Sequence, residues 1–159
     1  MVTWKKFAAA EPELAETGRS LLQQFGVGLA FLATVRKTAA PRLHPVCPVL
    51  SNDRLFVLIM PASPKRHDLM RDGRYALQTF PQPKPGRHEF YITGKALLVE
   101  DPATRAAVFG DTKHMADASE VLFELCIDRV MHTRWEGVLT PQMRSVHRKW
   151  STPAGVGRV

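Results

Sequence analysis

The connections between its apolar runs constrain this chain more than any other feature. Short runs with strand character occupy residues 28–35, 41–50, 54–60, 74–80, 89–99 and 121–133. Two of the links between them, Arg36 to Ala40 and Ser51 to Asp53, are too short for a parallel crossover, which needs about a dozen residues. These runs therefore pair as antiparallel hairpins, and a doubly wound parallel sheet is disfavoured. Helical signals interrupt the series. Pro12, Glu13 and Glu16 open a helix over 12–25 with a stripe of Leu14, Leu21, Leu22 and Phe25, and Gly26 stops it. Ser63-Pro64 opens a second helix that ends near Asp72-Gly73, and Asp101-Pro102 a third that runs toward Phe109-Gly110. Six antiparallel strands with helices in their connections predict a mainly β fold. A small closed or partly closed barrel removes most of its exposed edges.

The 159 residues are expected to form a single such domain, and no internal repeat is visible. Pro81-Gln82-Pro83-Lys84-Pro85-Gly86 reads as a surface loop, since more strands follow it. The longest apolar stretches, 27–35 and 55–62, fall short of the roughly 20 residues that span a bilayer. Glu11, Glu13 and Glu16 stand where a signal peptide would be apolar, so a cytoplasmic location is expected. Cys47 and Cys126 are far apart, each in an apolar stretch, and read as small core residues rather than a disulfide or zinc pair. The histidines at 44, 67, 88, 114, 132 and 147 show neither HxH nor HxxxH spacing, so no metal site is expected. P-loop, GxSxG and GxGxxG patterns are absent. What remains is charge. With 22 Lys plus Arg against 15 Asp plus Glu the chain carries +7, which implies an anionic partner.

Two segments could meet that partner. Strand 41–50 contains Pro41, Pro45 and Pro48, which cannot donate to a ladder, so it should lie at an edge or a break. Alternation puts Arg42, His44 and Val46 on one face and Leu43, Pro45 and Cys47 on the other. Periodicity alone reads Arg42 and His44 as solvent-facing. The second segment, Met60-Pro61-Ala62-Ser63-Pro64-Lys65-Arg66-His67-Asp68, follows a strand and starts a helix. A helix amino end offers free N–H groups and a positive dipole to a phosphate, and Ser63, Lys65 and Arg66 would add to it. The plainer reading, an ordinary Ser-Pro helix start whose cations face water, stays open. The basic stretch 144–150, in a carboxy-terminal arm of about 136–159, could be a nucleic-acid tail or a segment that packs on a neighbouring subunit. Nucleic acid is the weaker of the two.

In sequence order, Gly28 to Val35, Pro41-Arg-Leu-His-Pro-Val46, Arg54 to Met60, Ser63-Pro-Lys-Arg-His-Asp-Leu69 and Asp72-Gly-Arg-Tyr-Ala-Leu77 resemble the pyridoxamine 5′-phosphate oxidase-like family, the FMN-binding split β-barrels. The resemblance covers residues 20 to 150 or so, most of the chain. It implies a six-stranded antiparallel split barrel and a homodimer with flavin sites between the subunits. Ser63, Lys65 and Arg66 would hold the cofactor phosphate. Arg42, His44 and Val46 would flank the ribityl chain and ring, Met60 and Pro61 would approach the ring, and Gln78 and Thr79 would add polar contacts. Trp135, Arg148 and Trp150 would cover the ring from the other subunit. The implied activity is that of a flavin-dependent oxidoreductase, in which no side chain need donate a proton and His44 is the candidate if one does. Relatives use the deazaflavin F420 or bind haem, and a non-catalytic binder of such a cofactor fits the same residues. The family's true pyridoxamine phosphate oxidases end in a substrate-binding segment that Trp150-Ser151-Thr152-Pro153-Ala154 does not match, and the turn Lys37-Thr38-Ala39-Ala40 lacks the usual glycine.

Overall fold

A computed structural model describes residues 1–82, 88–112 and 116–154 of the chain. Its elements are α1 (Trp4–Ala10), α2 (Pro12–Leu22), β1 (Ala30–Val35), β2 (Pro41–Val46), β3 (Pro48–Ser51), β4 (Arg54–Ile59), α3 (Pro64–Arg71), β5 (Arg74–Thr79), β6 (His88–Leu98), α4 (Pro102–Asp111), β7 (Val121–Glu136) and β8 (Arg144–Ser151). Every strand pairing is antiparallel. Among the described residues, no helix is long and apolar enough to cross a membrane. Most of the proline-rich loop at 81–86 lies outside the described residues.

The strands form one sheet in the order β2-β1-β5-β6-β7-β4-β3. The 16-residue β7 lies along β6 on one edge; on its other edge Val121–Glu124 pair with β4 and Arg129–Glu136 with β8. The two end strands of this order, β2 and β3, are consecutive in the chain and separated by Cys47 alone. Two residue steps span at most about 7 Å, so the sheet must curl until its ends meet at that joint. The result is a barrel closed covalently at Cys47 and split where β2 and β3 diverge.

Several sequence expectations change in number or extent. Eight strands replace six. The run 41–50 is two strands because prolines at 45 and 48 straddle Cys47 and end one ladder before the next begins. The basic stretch at 144–150 forms β8, paired with β7. Helix α2 stops at Leu22, leaving Phe25 40% exposed beyond it. Helix α1 was not foreshadowed; Thr3 caps it and Trp4 and Phe7 are buried. Cys126 is buried as expected, but Cys47 is exposed at the joint.

Alternating residues Leu32 and Thr34 on β1, Leu77 and Thr79 on β5, and Phe90 and Ile92 on β6 face the interior. Helices α1 and α2 contribute Trp4, Phe7, Leu14 and Leu22 to the same core. Gly18 lets α2 lie against Phe90, since a Cβ there would sit 2.3 Å from the ring. A smaller cluster of Phe56, Val99, Val108 and Leu122 packs under α4.

Candidate functional site

The amino end of α3 is built for something other than its own capping. Ser63 is extended at the N-cap, yet its hydroxyl makes no capping hydrogen bond, and the first turn has no acidic residue. Lys65 and Arg66 occupy that turn, where the dipole disfavours cations. Arg66 is half-buried, and its Nε is enclosed without a hydrogen-bond partner. A buried guanidinium N–H left unpaired costs about 1–3 kcal/mol, so this atom marks a place where an acceptor is missing.

One turn further, Asp68 ties α3 to the sheet. Its carboxylate is 4% exposed and accepts hydrogen bonds from Arg42 Nε at 2.6 Å, Thr34 Oγ1 at 3.0 Å and Arg71 Nη2 at 3.3 Å. Burial pushes its pKa up, but the bonds from Arg42 and Thr34 outweigh it and hold the carboxyl below the ordinary range. This reverses the solvent-facing reading of β2. Arg42 and His44 are half-buried on the side of α3, while Leu43 is 64% exposed on the opposite face with Pro45 and Cys47. The buried Asp68 turns the strand this way, and nothing in the local alternation reveals it.

His44 sits among cations. Burial, then Lys65, Arg42 and Arg36, lower its pKa below the usual imidazole value, with Asp68 opposing. The ring is therefore neutral at neutral pH and keeps one donor and one acceptor nitrogen. Lys65 forms no ion pair among the described residues and lines a cleft of about 590 Å³ at the barrel's split. Val46, the Cys47 joint and Met60, itself 65% exposed, share that wall. Gly28 shapes its floor, because a Cβ at that position would lie 1.8 Å from the Pro48 carbonyl oxygen. Asp111 and Glu120 line the same cleft. Burial and Asp117 raise the Glu120 pKa, and Lys65 lowers it.

The expected site residues thus fall into three groups. Val46, Met60 and Lys65 line the cleft, Arg42 is tied to α3 through Asp68, His44 feels the charges of Lys65 and Arg42, and Pro61, Ser63 and Arg66 lie at the start of α3 outside the cleft lining. Gln78 and Thr79 point to opposite faces of β5: Gln78 is exposed, whereas Thr79 is buried and accepts the Phe90 N–H at 3.3 Å. Trp135, Arg148 and Trp150 lie on the β7–β8 hairpin and are engaged within their own chain. Trp135 Nε1 donates to Glu89 at 3.3 Å, Arg148 pairs with Glu11 and Glu13 at 2.8 and 2.9 Å, and Trp150 packs on Phe7 with centroids 5.1 Å apart. Asp68 and Glu120 are the additions that sequence alone missed. Asp68 was visible one turn after Lys65, but Glu120 carried no local signal. Among the described residues, no group of three or more His, Cys, Asp or Glu could hold a metal ion.

Neither protein-family models nor curated sequences give a match. Solved structures do. A candidate pyridoxamine 5′-phosphate oxidase from Listeria innocua superposes with a TM-score of 0.59 at 18% identity, over 72% of this chain and 94% of that one. A NimC/NimA family protein from Clostridium acetobutylicum gives 0.61 at 11% identity, over 85% and 91%. A heme binding protein from Mycobacterium smegmatis gives 0.58 at 17% identity over 80% of this chain, which spans only 55% of that protein. These three share the topology with little sequence in common. The antiparallel sheet curled shut at Cys47, and its likeness to these structures, give this chain the split β-barrel fold of the pyridoxamine 5′-phosphate oxidase-like proteins.

Proposed function

We propose that this chain binds FMN through its phosphate at the amino end of α3 and serves as a flavin-dependent oxidoreductase, its site completed by a second copy of the chain. The observation that carries the reading is the unpartnered, buried Nε of Arg66 beside an unpaired Lys65 and a free Ser63 hydroxyl. A phosphate supplies the missing acceptor and offsets the cations' unfavourable place on the helix dipole. Bound FMN supplies the electron-transfer chemistry. The chain's own part is to hold the phosphate with Lys65 and Arg66, to keep Arg42 fixed through Asp68, and to present a neutral His44 that can exchange a proton with a substrate. Val46, Met60 and Pro61 would border the ring, with Gln78 beside it. A second copy would bring its β7–β8 hairpin toward the ring with Trp135 near the turn, whereas Arg148 and Trp150 would have to leave Glu11, Glu13 and Phe7 to reach it. The two free cysteines fit a reducing, cytoplasmic setting.

The test is the absorption spectrum and mass of whatever copurifies, followed by titration of FMN, F420 and haem. Binding of FMN in the micromolar range or tighter is the expected result. Lys65→Ala should weaken FMN about 10- to 100-fold, as loss of a charge-assisted hydrogen bond does, and leave riboflavin unchanged. A colourless protein that gains no absorbance or thermal stability from any of the three cofactors overturns the reading. The alternative cofactors are F420 and haem, the latter supported by the likeness to the Mycobacterium smegmatis heme binding protein. A carrier or sensor without turnover is the other alternative. Stopped-flow reduction of the bound cofactor by NADPH or reduced F420 separates it from an enzyme.

A further inference from the structure

Outside the cleft, two histidines share a hydrogen bond that the proposed chemistry does not use. His88 opens β6, and His132 lies in β7, where its register partner is Phe90. Register partners project to the same face of a sheet, and so do His88 and Phe90, two positions apart. Both imidazoles therefore stand on the side that α2 covers, where Gly18 lies against Phe90. His88 Nδ1 is 2.9 Å from His132 Nε2, and the rings are parallel to within 1°. Each is half-buried.

Charged groups stand around the pair. Arg134 is the register partner of His88 on β7, and Arg148 that of His132 on β8. The acids nearby are engaged: Glu136 with Arg134, Glu11 and Glu13 with Arg148, and Glu16 with Arg19. Glu13 and Glu16 on α2 line a groove that reaches His88, and a second groove, with Arg134, Trp135 and Glu136, meets the same residue from the hairpin side. Protons therefore have access to the pair from water.

The shared bond limits how many protons the pair can hold. With both rings neutral, one nitrogen donates and the other accepts. One added proton keeps this arrangement, because an imidazolium donates to the neutral ring and the bond gains charge assistance. A second proton leaves two N–H donors facing each other across 2.9 Å, with two positive rings beside two arginines. Burial, then His88, Arg134 and Arg148, lower the His132 pKa, in keeping with that opposition.

We propose that the His88–His132 pair is an acid-operated latch, which pins the first residues of β6 to the β7–β8 hairpin while it holds at most one proton and releases them when it takes a second. His88 can swing away because it is the first residue of its strand. The segment released includes Glu89, which holds Trp135 Nε1 on the opposite face. The latch stands independently of any cofactor, so it is tested on the full chain with no ligand added. Imidazole proton shifts should show the two rings titrating in two coupled steps, and His88→Asn should leave His132 a single step at higher pH than the second step of the parent. Hydrogen-exchange protection at Glu89 and at its register partner Thr133 should fall about tenfold, relative to β1 and β5, as the parent passes its second step, the loss of one hydrogen bond. In His88→Asn and in His132→Asn this acid-induced fall should be absent. Rings that titrate independently of each other, or a fall in protection that persists in both variants, overturn the latch.

Discussion

Asp68 ties β1, β2 and α3 together. Its buried carboxylate collects three donors from two strands and its own helix, so Asp68→Asn leaves Arg42 half-buried without its counter-charge. Breaking such a pair costs about 3 kcal/mol, and urea denaturation at pH 7 should read that loss. The sign of its pH dependence follows from the depressed pKa. The folded state holds the carboxylate charged, so its contribution is complete above the ordinary carboxylate value of about 3.9 and fades as pH falls below it. The stability gap between parent and Asp68→Asn should therefore be constant above that value and narrow as pH is lowered below it; a gap that does not change with falling pH contradicts the assignment. His44 gives a second reading of the same neighbourhood. Burial lowers its pKa most and Lys65 next, so Lys65→Ala should raise it part of the way toward 6.5, as followed by the imidazole proton shifts in an NMR titration. An unmoved midpoint would place Lys65 away from His44. The alternation of strand 41–50 made the pairing of Arg42 with His44 legible, but not its direction. Direction is decided by a carboxylate 26 positions along the chain from Arg42, beyond the reach of any local pattern.

The elements show the same division between what neighbours in sequence decide and what distant contacts decide. Short links predicted hairpins, and the hairpins form because their turns close locally. Arg36 N–H donates to the Ala40 carbonyl at 2.9 Å, and Asn52 and Asp53 take left-handed φ values of 48° and 55°, which their short polar side chains tolerate. Ala39 is the exception, with φ at 64° and no such side chain. Its Cβ costs about 1–2 kcal/mol in that conformation, against about 0.5–1 kcal/mol of extra chain entropy for glycine. Ala39→Gly should therefore stabilise the protein by roughly 0.5–1 kcal/mol, measured as a higher midpoint of thermal unfolding. A lower midpoint would show that Ala39 is not held in this turn. The split of residues 41–50 into β2 and β3 was half legible. Three prolines announced an irregular strand, but only the sheet order shows that the irregularity is where the barrel's two ends meet. Helix α1 was missed because a seven-residue segment has too few turns to display a periodic stripe; its place depends on Trp4 and Phe7 reaching the core.

At the scale of the molecule, the +7 charge and the exposed side of β2 bear on one question, which is what completes the cleft. Leu43 and Pro45 project from β2, an end strand with no partner on its outer edge among the described residues, and exposed Cys47 follows it. In register across the sheet, Pro45 continues into Phe31, Gln78, Tyr91, Met131 and Lys149. Phe31, stacked on Phe80 at 4.3 Å, anchors this row. This face is mixed, with partly buried Phe31, Tyr91 and Met131, exposed Gln78 between them and Lys149 at its end. Gln78, exposed on β5 and turned away from the core, lies in the same row. If a second copy docks here, Leu43→Glu puts a charge into the contact and should shift the protein to monomer in analytical ultracentrifugation. FMN affinity should fall in the same variant although no group that binds the phosphate has changed, because the ring loses the cover supplied by the other subunit. A Leu43→Glu variant that stays dimeric would move the interface elsewhere. One that becomes monomeric yet binds FMN as the parent does would show that a single barrel makes the whole site.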